Sequence, residues 1–330
     1  MIYIQIFTIL IITIVFLLNI NFISNLLNLY DHPDSNRKIH SVKISNIGGI
    51  GIFLIIIFNF LSSFFFQELN MNGENIDLNG YFFIFSFFFL ILGVLDDKYN
   101  LSALTKIIIL IFMILVFIFL NNEIEIISLN FRTFDKEISL GSYSIVFTIF
   151  CFFAFSHALN MFDGVNGNVV LYSLFIFIFL YFRSYNVIFI NLIIYLIIFF
   201  IFNYKNKIFL GNNGSLLLSF LISYFCVSLH NNNQIYADEI YLIMLIPGLD
   251  MVRLFFQRIL KKKSPFTADN NHIHHIFLTI VGIKKYLIGL LIILLFTYYF
   301  LYFDLVFLGI LFVKVIYIFF IKYKFFFNKL

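Results

Sequence analysis

Long apolar runs separated by short polar segments are the feature that most constrains this sequence. A helix needs about 20 consecutive apolar residues to cross the hydrocarbon core of a bilayer, and such runs recur along the chain. Of its 330 residues, 62% are hydrophobic and 12% are charged. Because soluble domains contain about 25% charged residues, this chain is too apolar to fold in water. The pattern predicts an all-α, polytopic membrane protein.

The apolar runs form about eleven candidate transmembrane helices. They lie near residues 3–29, 47–66, 81–95, 103–120, 142–160, 168–182, 187–203, 215–230, 240–256, 280–302 and 305–322. The first run lacks a basic leading segment and a small-residue cleavage site, so we expect a helix and not a signal peptide. No repeat or linker divides the runs, which predicts a single transmembrane domain over residues 1–330.

Lysine and arginine positions predict the orientation of this bundle, because these residues accumulate in cytoplasmic loops. With the N-terminus outside, 17 of the 21 Lys and Arg residues fall in cytoplasmic segments or the C-terminal tail. Arg132, Lys136 and Arg183 fall on the opposite side, and Lys314 lies inside the last run. We therefore predict that the N-terminus lies outside and the C-terminus in the cytoplasm. A charged residue within a span is a functional candidate by default, but the sequence assigns Lys314 no role.

The strongest polar feature is the segment from Leu95 to Lys106, which contains the adjacent Asp96 and Asp97. The helix dipole disfavours carboxylates at a helix C-terminus and a lysine near a helix N-terminus. These charges therefore need partners, either one another or a bound cation and phosphate. Ser102 is a candidate N-cap for the next helix. The alternative interpretation is an ordinary polar loop between two helices.

Two further polar segments combine glycines with oxygen-bearing side chains. Residues 160–167 read Asn-Met-Phe-Asp-Gly-Val-Asn-Gly, and residues 209–215 read Phe-Leu-Gly-Asn-Asn-Gly-Ser. Asn and Asp oxygens suit hard cations such as Mg²⁺, and amides at a glycine-rich helix start can bind phosphate. Plain turns, with a helix N-cap at Ser215, are the alternative interpretation.

The longest polar segment extends from Pro-Gly-Leu-Asp at 247–250 to His-Ile-His-His at 272–275. Three of the seven histidines of the chain therefore fall within four residues. Imidazoles that bind diphosphate or transfer protons are the preferred interpretation, and a Zn²⁺ site without cysteine ligands is the alternative. The basic segment at 30–46, with Arg37 and His40, is a further candidate site or a positive-inside anchor.

In their order along the chain, these five motifs resemble the polyprenyl-phosphate N-acetylhexosamine-1-phosphate transferase family, which includes the phospho-N-acetylmuramoyl-pentapeptide transferases. The resemblance runs from Asp31 to about Phe277. The stretch ending in His-Ile-His-His is more similar to the branch that starts O-antigen (lipopolysaccharide), teichoic acid and related cell-wall glycans. The peptidoglycan enzymes usually have three consecutive histidines there. The resemblance implies a bundle of roughly eleven helices in a bacterial inner membrane, with its active site open to the cytoplasm.

The resemblance also implies a reaction. Polyprenyl (undecaprenyl) phosphate attacks the sugar phosphate of a UDP-N-acetyl sugar, such as UDP-N-acetylglucosamine, and gives polyprenyl-diphosphate-sugar and UMP. The implied cofactor is Mg²⁺, with Mn²⁺ as a substitute. The implied partners are the two substrates, the lipid bilayer and, in a homodimer, a second copy of the chain; no nucleic acid is expected. Such phosphoryl transfer requires mainly positioning and charge neutralisation from the protein.

The same resemblance assigns roles to residues of this chain. The catalytic group comprises Asp96, Asp97, Lys106 and Asp163. The metal-binding residues are Asn160 and Asn212. The substrate-binding residues are Arg37, His40, Gly164, Asn166, Arg258, His272, His274 and His275.

Three positions depart from the family pattern. Asn212 stands where the family usually has Asp; its carbonyl can ligate Mg²⁺ but lacks the charge, so we expect weaker metal affinity. Asn166 replaces an Asp of many relatives, and His157 replaces an Asn. The alternatives to an active enzyme are a silent homologue that binds polyprenyl phosphate or partner proteins, and a secondary transporter. Three retained motif acids favour the enzyme, and polar motifs on one face disfavour the transporter, whose sites lie near the midplane.

Overall fold

The computed structural model describes residues 2–33, 43–66, 79–265 and 271–327, and these form mainly α-helices. The helices are α1 Ile2–Leu18, α2 Ile20–Leu27, α3 Gly48–Phe66, α4 Gly80–Tyr99, α5 Ala103–Leu120, α6 Ser144–Phe162, α7 Asn168–Ser184, α8 Val187–Tyr204, α9 Gly211–Asn231, α10 Ala237–Leu260, α11 Ile273–Tyr302 and α12 Val306–Phe327. The strands are β1 Tyr30–Asp31, β2 Ile44–Asn46, β3 Ser128–Phe131, β4 Lys136–Ser139 and β5 Ile208–Phe209.

Each predicted apolar run corresponds to one helix, except that the first run forms α1 and α2, which are bent by 63°. Among the described residues, six helices are long and apolar enough to cross a membrane, or seven if the bent pair is one span. The prediction of an all-α membrane bundle is therefore confirmed. The number of spans and the orientation of the termini stay predictions.

Helix α9 lies at the centre of the bundle. Of its most apolar stretch, 94% is buried inside the protein, against 22% for α5, and it packs against α3, α4, α6 and α7. Lipid tails are as apolar as Phe, so membrane helices associate through close packing more than through hydrophobic burial. At Gly49 of α3 and Gly93 of α4, an added Cβ would overlap the backbone of Asn213. The first turn of α9 is thus held closely between α3 and α4.

A three-stranded sheet lies beside this turn. Strand β1 pairs antiparallel with β2, and β2 pairs parallel with β5, with Ser45 opposite Ile208. Because β2 precedes α3 and β5 precedes α9, the sheet fixes the starts of these two helices together.

The opposite end of the bundle carries a second polar cluster. The β3–β4 hairpin lies between α5 and α6, and Arg132 in its turn forms ion pairs with Glu239 and Asp304. Arg183 at the end of α7 also pairs with Glu239. The backbone amide of Thr133 donates to Asp238 Oδ2 at 2.9 Å. Residues that the charge pattern places on the non-cytoplasmic side therefore meet at one end, away from the motifs.

Candidate active site

Asp97, near the C-terminal end of α4, caps the start of α9. Its Oδ1 accepts a hydrogen bond from the backbone amide of Asn212 at 2.9 Å, and its Oδ2 accepts one from the amide of Asn213 at 3.0 Å. The side chain of Asn213 donates to the same Oδ2 at 2.6 Å. A helix N-terminus has unpaired N–H groups and favours negative charge. The carboxylate of Asp97 is unfavourable at the C-terminal end of α4, and the N-terminus of α9 therefore stabilises it.

Further contacts fix this turn from the side of α3. Asn213 donates to the carbonyl of Asn46 at 2.9 Å and accepts from the amide of Gly49 at 2.7 Å. Gly211 has φ +73°, a conformation that favours glycine. Because α9 begins at Gly211, the alternative interpretation with an N-cap at Ser215 is wrong: the cap comes from Asp97 of another helix.

Asp96 and Lys106 form an ion pair across the loop between α4 and α5. Asp96 is 3% exposed, and a carboxylate so buried requires a charged partner. Ser102 accepts from the amide of Thr105 at 3.2 Å, so the predicted N-cap of α5 is confirmed. The expectation that the charges of this motif compensate one another holds for Asp96 and Lys106, but not for Asp97.

The end of α6 brings the second motif to the third. The Asn160 side chain donates to Asn212 Oδ1 at 2.8 Å and to Ser215 Oγ at 2.9 Å. Asp163 follows α6 directly, and burial together with the negative charge of Asp97 raises its pKa to about 8. A carboxyl with such a pKa is populated in both protonation states near neutral pH, which suits proton transfer.

The turn between α6 and α7 contacts the histidine motif. An added Cβ at Gly164 would overlap the Nε2 of His274. Asn168 donates to the carbonyl of Phe162 at 2.7 Å and accepts from the Tyr286 hydroxyl at 2.7 Å, which ties the turn to α11. Asn166 donates to Asn206 in the loop after α8. Glycine at 164 thus allows the turn to lie directly on the imidazole ring.

The histidine motif forms the start of α11, and Gly282 (φ +77°) separates its short helical segment from the long apolar one. His272 Nδ1 hydrogen-bonds Asp250 Oδ2 at 3.0 Å. The ring centroids of His274 and His275 lie 4.4 Å apart. His274 is 0% exposed, and neither of its ring nitrogens has a hydrogen-bond partner among the described residues. Burial, with the neighbouring histidines, lowers the pKa of His274 well below its ordinary value, so its ring is neutral at pH 7.

A metal ion is one interpretation of the histidine motif. Ligand atoms of Asp250, His272 and His274 lie within 4.8 Å of one another. However, Arg253 donates to Asp250 Oδ1 at 2.7 Å, and a cationic guanidinium on the same carboxylate opposes a second cation. The hydrogen-bonded arrangement therefore favours substrate-binding histidines over a Zn²⁺ site.

The structure assembles most of the predicted site residues but not all of them. Three of the predicted motifs meet beside the three histidines. They carry Asp96, Asp97, Lys106, Asn160, Asp163, Gly164 and Asn212. Arg258 is buried and donates to the carbonyl of Pro265 at 2.6 Å, so it holds the chain that follows α10. Arg37 and His40 lie outside the described residues. Lys314 lies over the Tyr241 ring, 5.6 Å from its centroid.

The structure brings into this region three residues to which the sequence assigned no role: Asn213, Arg253 and Tyr317. The first two lie inside the predicted polar motifs, so their position was a usable signal. Tyr317 lies deep in the last apolar run, and nothing in the sequence connects it to the histidines.

The fold and the site define a membrane-embedded phosphotransferase: a helix bundle with carboxylates, amides and imidazoles gathered at one end. Residues 80–230 match the model of glycosyl transferase family 4. The motifs and this match agree, and both support the expected family: over residues 80–230 the chain is similar to glycosyl transferase family 4.

Curated relatives carry names consistent with this family. The chain is 28% identical over 264 residues to an undecaprenyl-phosphate alpha-N-acetylglucosaminyl 1-phosphate transferase of Thermotoga maritima, covering 78% of this chain and 76% of the relative. It is 25% identical over 265 residues to a protein of the same name from Salmonella typhi, covering 76% and 69%. A probable undecaprenyl-phosphate N-acetylglucosaminyl 1-phosphate transferase of Bacillus subtilis is 28% identical over 137 residues, which span 42% of this chain and 35% of that relative.

Proposed function

We propose that this protein transfers an N-acetyl sugar 1-phosphate from a UDP-sugar to undecaprenyl phosphate, releasing UMP at the cytoplasmic face of a bacterial inner membrane. The observation that carries the proposal is the contact of three motifs distant in sequence: Asp97 binds the backbone of Asn212, and Asn212 binds Asn160. The names of the relatives support both substrate classes and favour an enzyme over a silent homologue. The product would start a lipid-linked surface glycan.

The structure suggests a division of labour between the two adjacent carboxylates. Both oxygens of Asp97 accept hydrogen bonds from the first turn of α9, so Asp97 positions that turn. Asp96 is paired only with Lys106 among the contacts of the described residues, and this pair would orient the lipid phosphate and balance its charge. Asp163, with its pKa raised to about 8, would exchange the proton of the attacking phosphate.

The donor set at Asn160 and Asn212 fits a divalent cation. Their side-chain amides meet at 2.8 Å, and rotating the Asn160 amide by half a turn presents its oxygen to the same space. Carbonyl and carboxylate oxygens are the ligands that Mg²⁺ prefers. When bound, Mg²⁺ or Mn²⁺ would neutralise charge on the diphosphate. The chain's own contribution is to hold these oxygens at the start of α9.

The UDP-sugar would lie beside the line of contact where the α6–α7 turn meets the histidine motif. Gly164 contacts His274, and the three histidines adjoin the same turn, so one ligand can contact both elements. Asn166 and Arg258 flank this region. From the sequence alone, we also propose that Arg37 and His40 bind substrate. An imidazole N–H can donate a hydrogen bond to a diphosphate oxygen, and an unprotonated ring nitrogen can accept one from a sugar hydroxyl.

The test is UMP release by the purified protein in lipid nanodiscs with Mg²⁺, undecaprenyl phosphate and a panel of UDP-sugars. We expect turnover with at least one UDP-N-acetylhexosamine. Turnover with UDP-N-acetylmuramoyl-pentapeptide alone would indicate the peptidoglycan reaction instead. If no sugar supports release while the Thermotoga maritima relative turns over beside it, the enzyme assignment is wrong. Lipid-phosphate binding without turnover would then identify a silent homologue.

Restoring the family carboxylate with Asn212→Asp should lower the Mg²⁺ concentration for half-maximal activity at least about tenfold. Two unit charges about 4 Å apart interact by about 4 kcal/mol at an effective dielectric constant of about 20, and about 1.4 kcal/mol suffices for a tenfold change. The measurement is a Mg²⁺ titration of UMP release.

The matched control is Asn28→Asp. It adds the same charge at the same end of the bundle, at the exposed C-cap of α2 beside the three-stranded sheet. We expect its Mg²⁺ titration to match the wild type. If the Mg²⁺ titration of Asn212→Asp is unchanged from the wild type, residue 212 is not a metal ligand.

A further inference from the structure

We propose that Asp250, Arg253 and Tyr317 form a positioning network for His272, which makes the last helix, α12, part of the active site. The inference rests on the proposed function, because it concerns how a histidine of that site is held. Asp250 contacts His272, Arg253 contacts Asn271 just before it, and Tyr317 contacts Asp250 and Arg253. All three would act through His272, so they are positioning residues.

Asp250 is the centre of the network. It lies on α10, three residues after Pro247, and is 2% exposed. Its Oδ1 accepts hydrogen bonds from the guanidinium of Arg253 and from the Tyr317 hydroxyl at 3.2 Å, and its Oδ2 accepts from His272. The backbone amide of Ile273 also donates to Oδ1, at 3.2 Å. A buried carboxylate requires such complete pairing.

These contacts fix both the ring and the backbone of His272. A carboxylate only accepts hydrogen bonds, so Nδ1 of His272 carries a proton that it donates to Asp250, and Nε2 is the ring nitrogen left for other contacts. Asp250 also binds the amide that follows His272 in the chain. One buried group therefore sets the orientation of the His272 ring and the direction in which α11 begins.

Arg253 and Tyr317 hold Asp250 in turn. Arg253 neutralises the carboxylate and donates to the carbonyl of Asn271, just before His272, at 2.7 Å. Its Nε donates to the Tyr317 hydroxyl at 2.8 Å. That hydroxyl accepts from Arg253 and donates to Asp250, so both of its hydrogen-bonding functions are used. Tyr317 is separated from Asp250 by 67 positions and joins the network from α12.

The test uses Tyr317→Phe, which removes one hydroxyl and keeps the ring. We expect kcat for UMP release to fall about tenfold, the size expected for losing a hydrogen bond to a charged group, with KM for the UDP-sugar little changed. In a His272→Ala background, the same change should have no further effect on kcat, because the network acts through that ring. Additive losses would overturn the inference and indicate a general packing role.

A second measurement does not depend on turnover. Carbethoxylation by diethyl pyrocarbonate, mapped by mass spectrometry, reports the accessibility of His272, with the exposed His32 as an internal reference. We expect the His272 rate to rise several-fold in Tyr317→Phe and to stay at the wild-type value in the control Tyr299→Phe, an exposed tyrosine of α11. An unchanged rate overturns the positioning role. An inactive wild type with the expected labelling refutes only the proposed function.

Discussion

Replacing Asp97 with Asn should lower kcat for UMP release by about a hundredfold or more. The carboxylate accepts three hydrogen bonds from the backbone of Asn212 and the backbone and side chain of Asn213. An Asn amide directs N–H groups at one or two of these donors, and each unpaired buried group costs about 1–3 kcal/mol. The first turn of α9 would then shift, and with it the contact between Asn212 and Asn160.

The measurement is steady-state UMP release at saturating Mg²⁺, with thermal unfolding in nanodiscs to confirm that the variant folds. Asp135→Asn is the control, since Asp135 is exposed in the β3–β4 turn and has φ +46°, which Asn tolerates equally. Asn213→Ala is a second variant that keeps the Asp97 charge and removes the side-chain contacts of Asn213 with Asp97, Asn46 and Gly49, and it should also lower kcat. Wild-type kcat in folded Asp97→Asn would show that the cap of α9 is not needed for transfer.

Replacing Gly164 with Ala should lower kcat/KM for the UDP-sugar by about a hundredfold. The new Cβ would overlap Nε2 of His274 and lie 3.0 Å from Nε2 of His275. His274 is fully buried and cannot rotate away, so the turn or the histidine segment must move. Overpacking of this kind costs about 1–3 kcal/mol, and small displacements of substrate-positioning groups reduce rates further.

Gly248→Ala is the matched control for this prediction. Gly248 lies on α10, two residues before Asp250, and an added Cβ there meets nothing within 4 Å. Alanine is also the better helix former, so wild-type kinetics and equal or higher stability are expected. Equal kcat/KM for Gly164→Ala and the wild type would mean that the turn and the histidines separate in the working enzyme.

Local features of the site were predictable from the sequence, whereas partners supplied by other helices were not. The N-cap at Ser102 was correct because its acceptor lies three residues away in the same chain segment. The N-cap at Ser215 was wrong because Asp97, 115 positions away, caps α9 and moves its start to Gly211. Both predictions used the same capping rule; only the first cap was local.

The sequence by itself determined that this chain forms a membrane helix bundle and where its polar motifs lie, because the length of an apolar run and the residues between runs are local properties. Only the tertiary structure decided which motifs touch. It placed Asp97 at the start of α9, brought Asn160 to Asn212 and brought Tyr317 of α12 to Asp250. The physical reason is that helices in lipid associate through the fit of their surfaces. The apolar runs are too alike to record which surfaces meet.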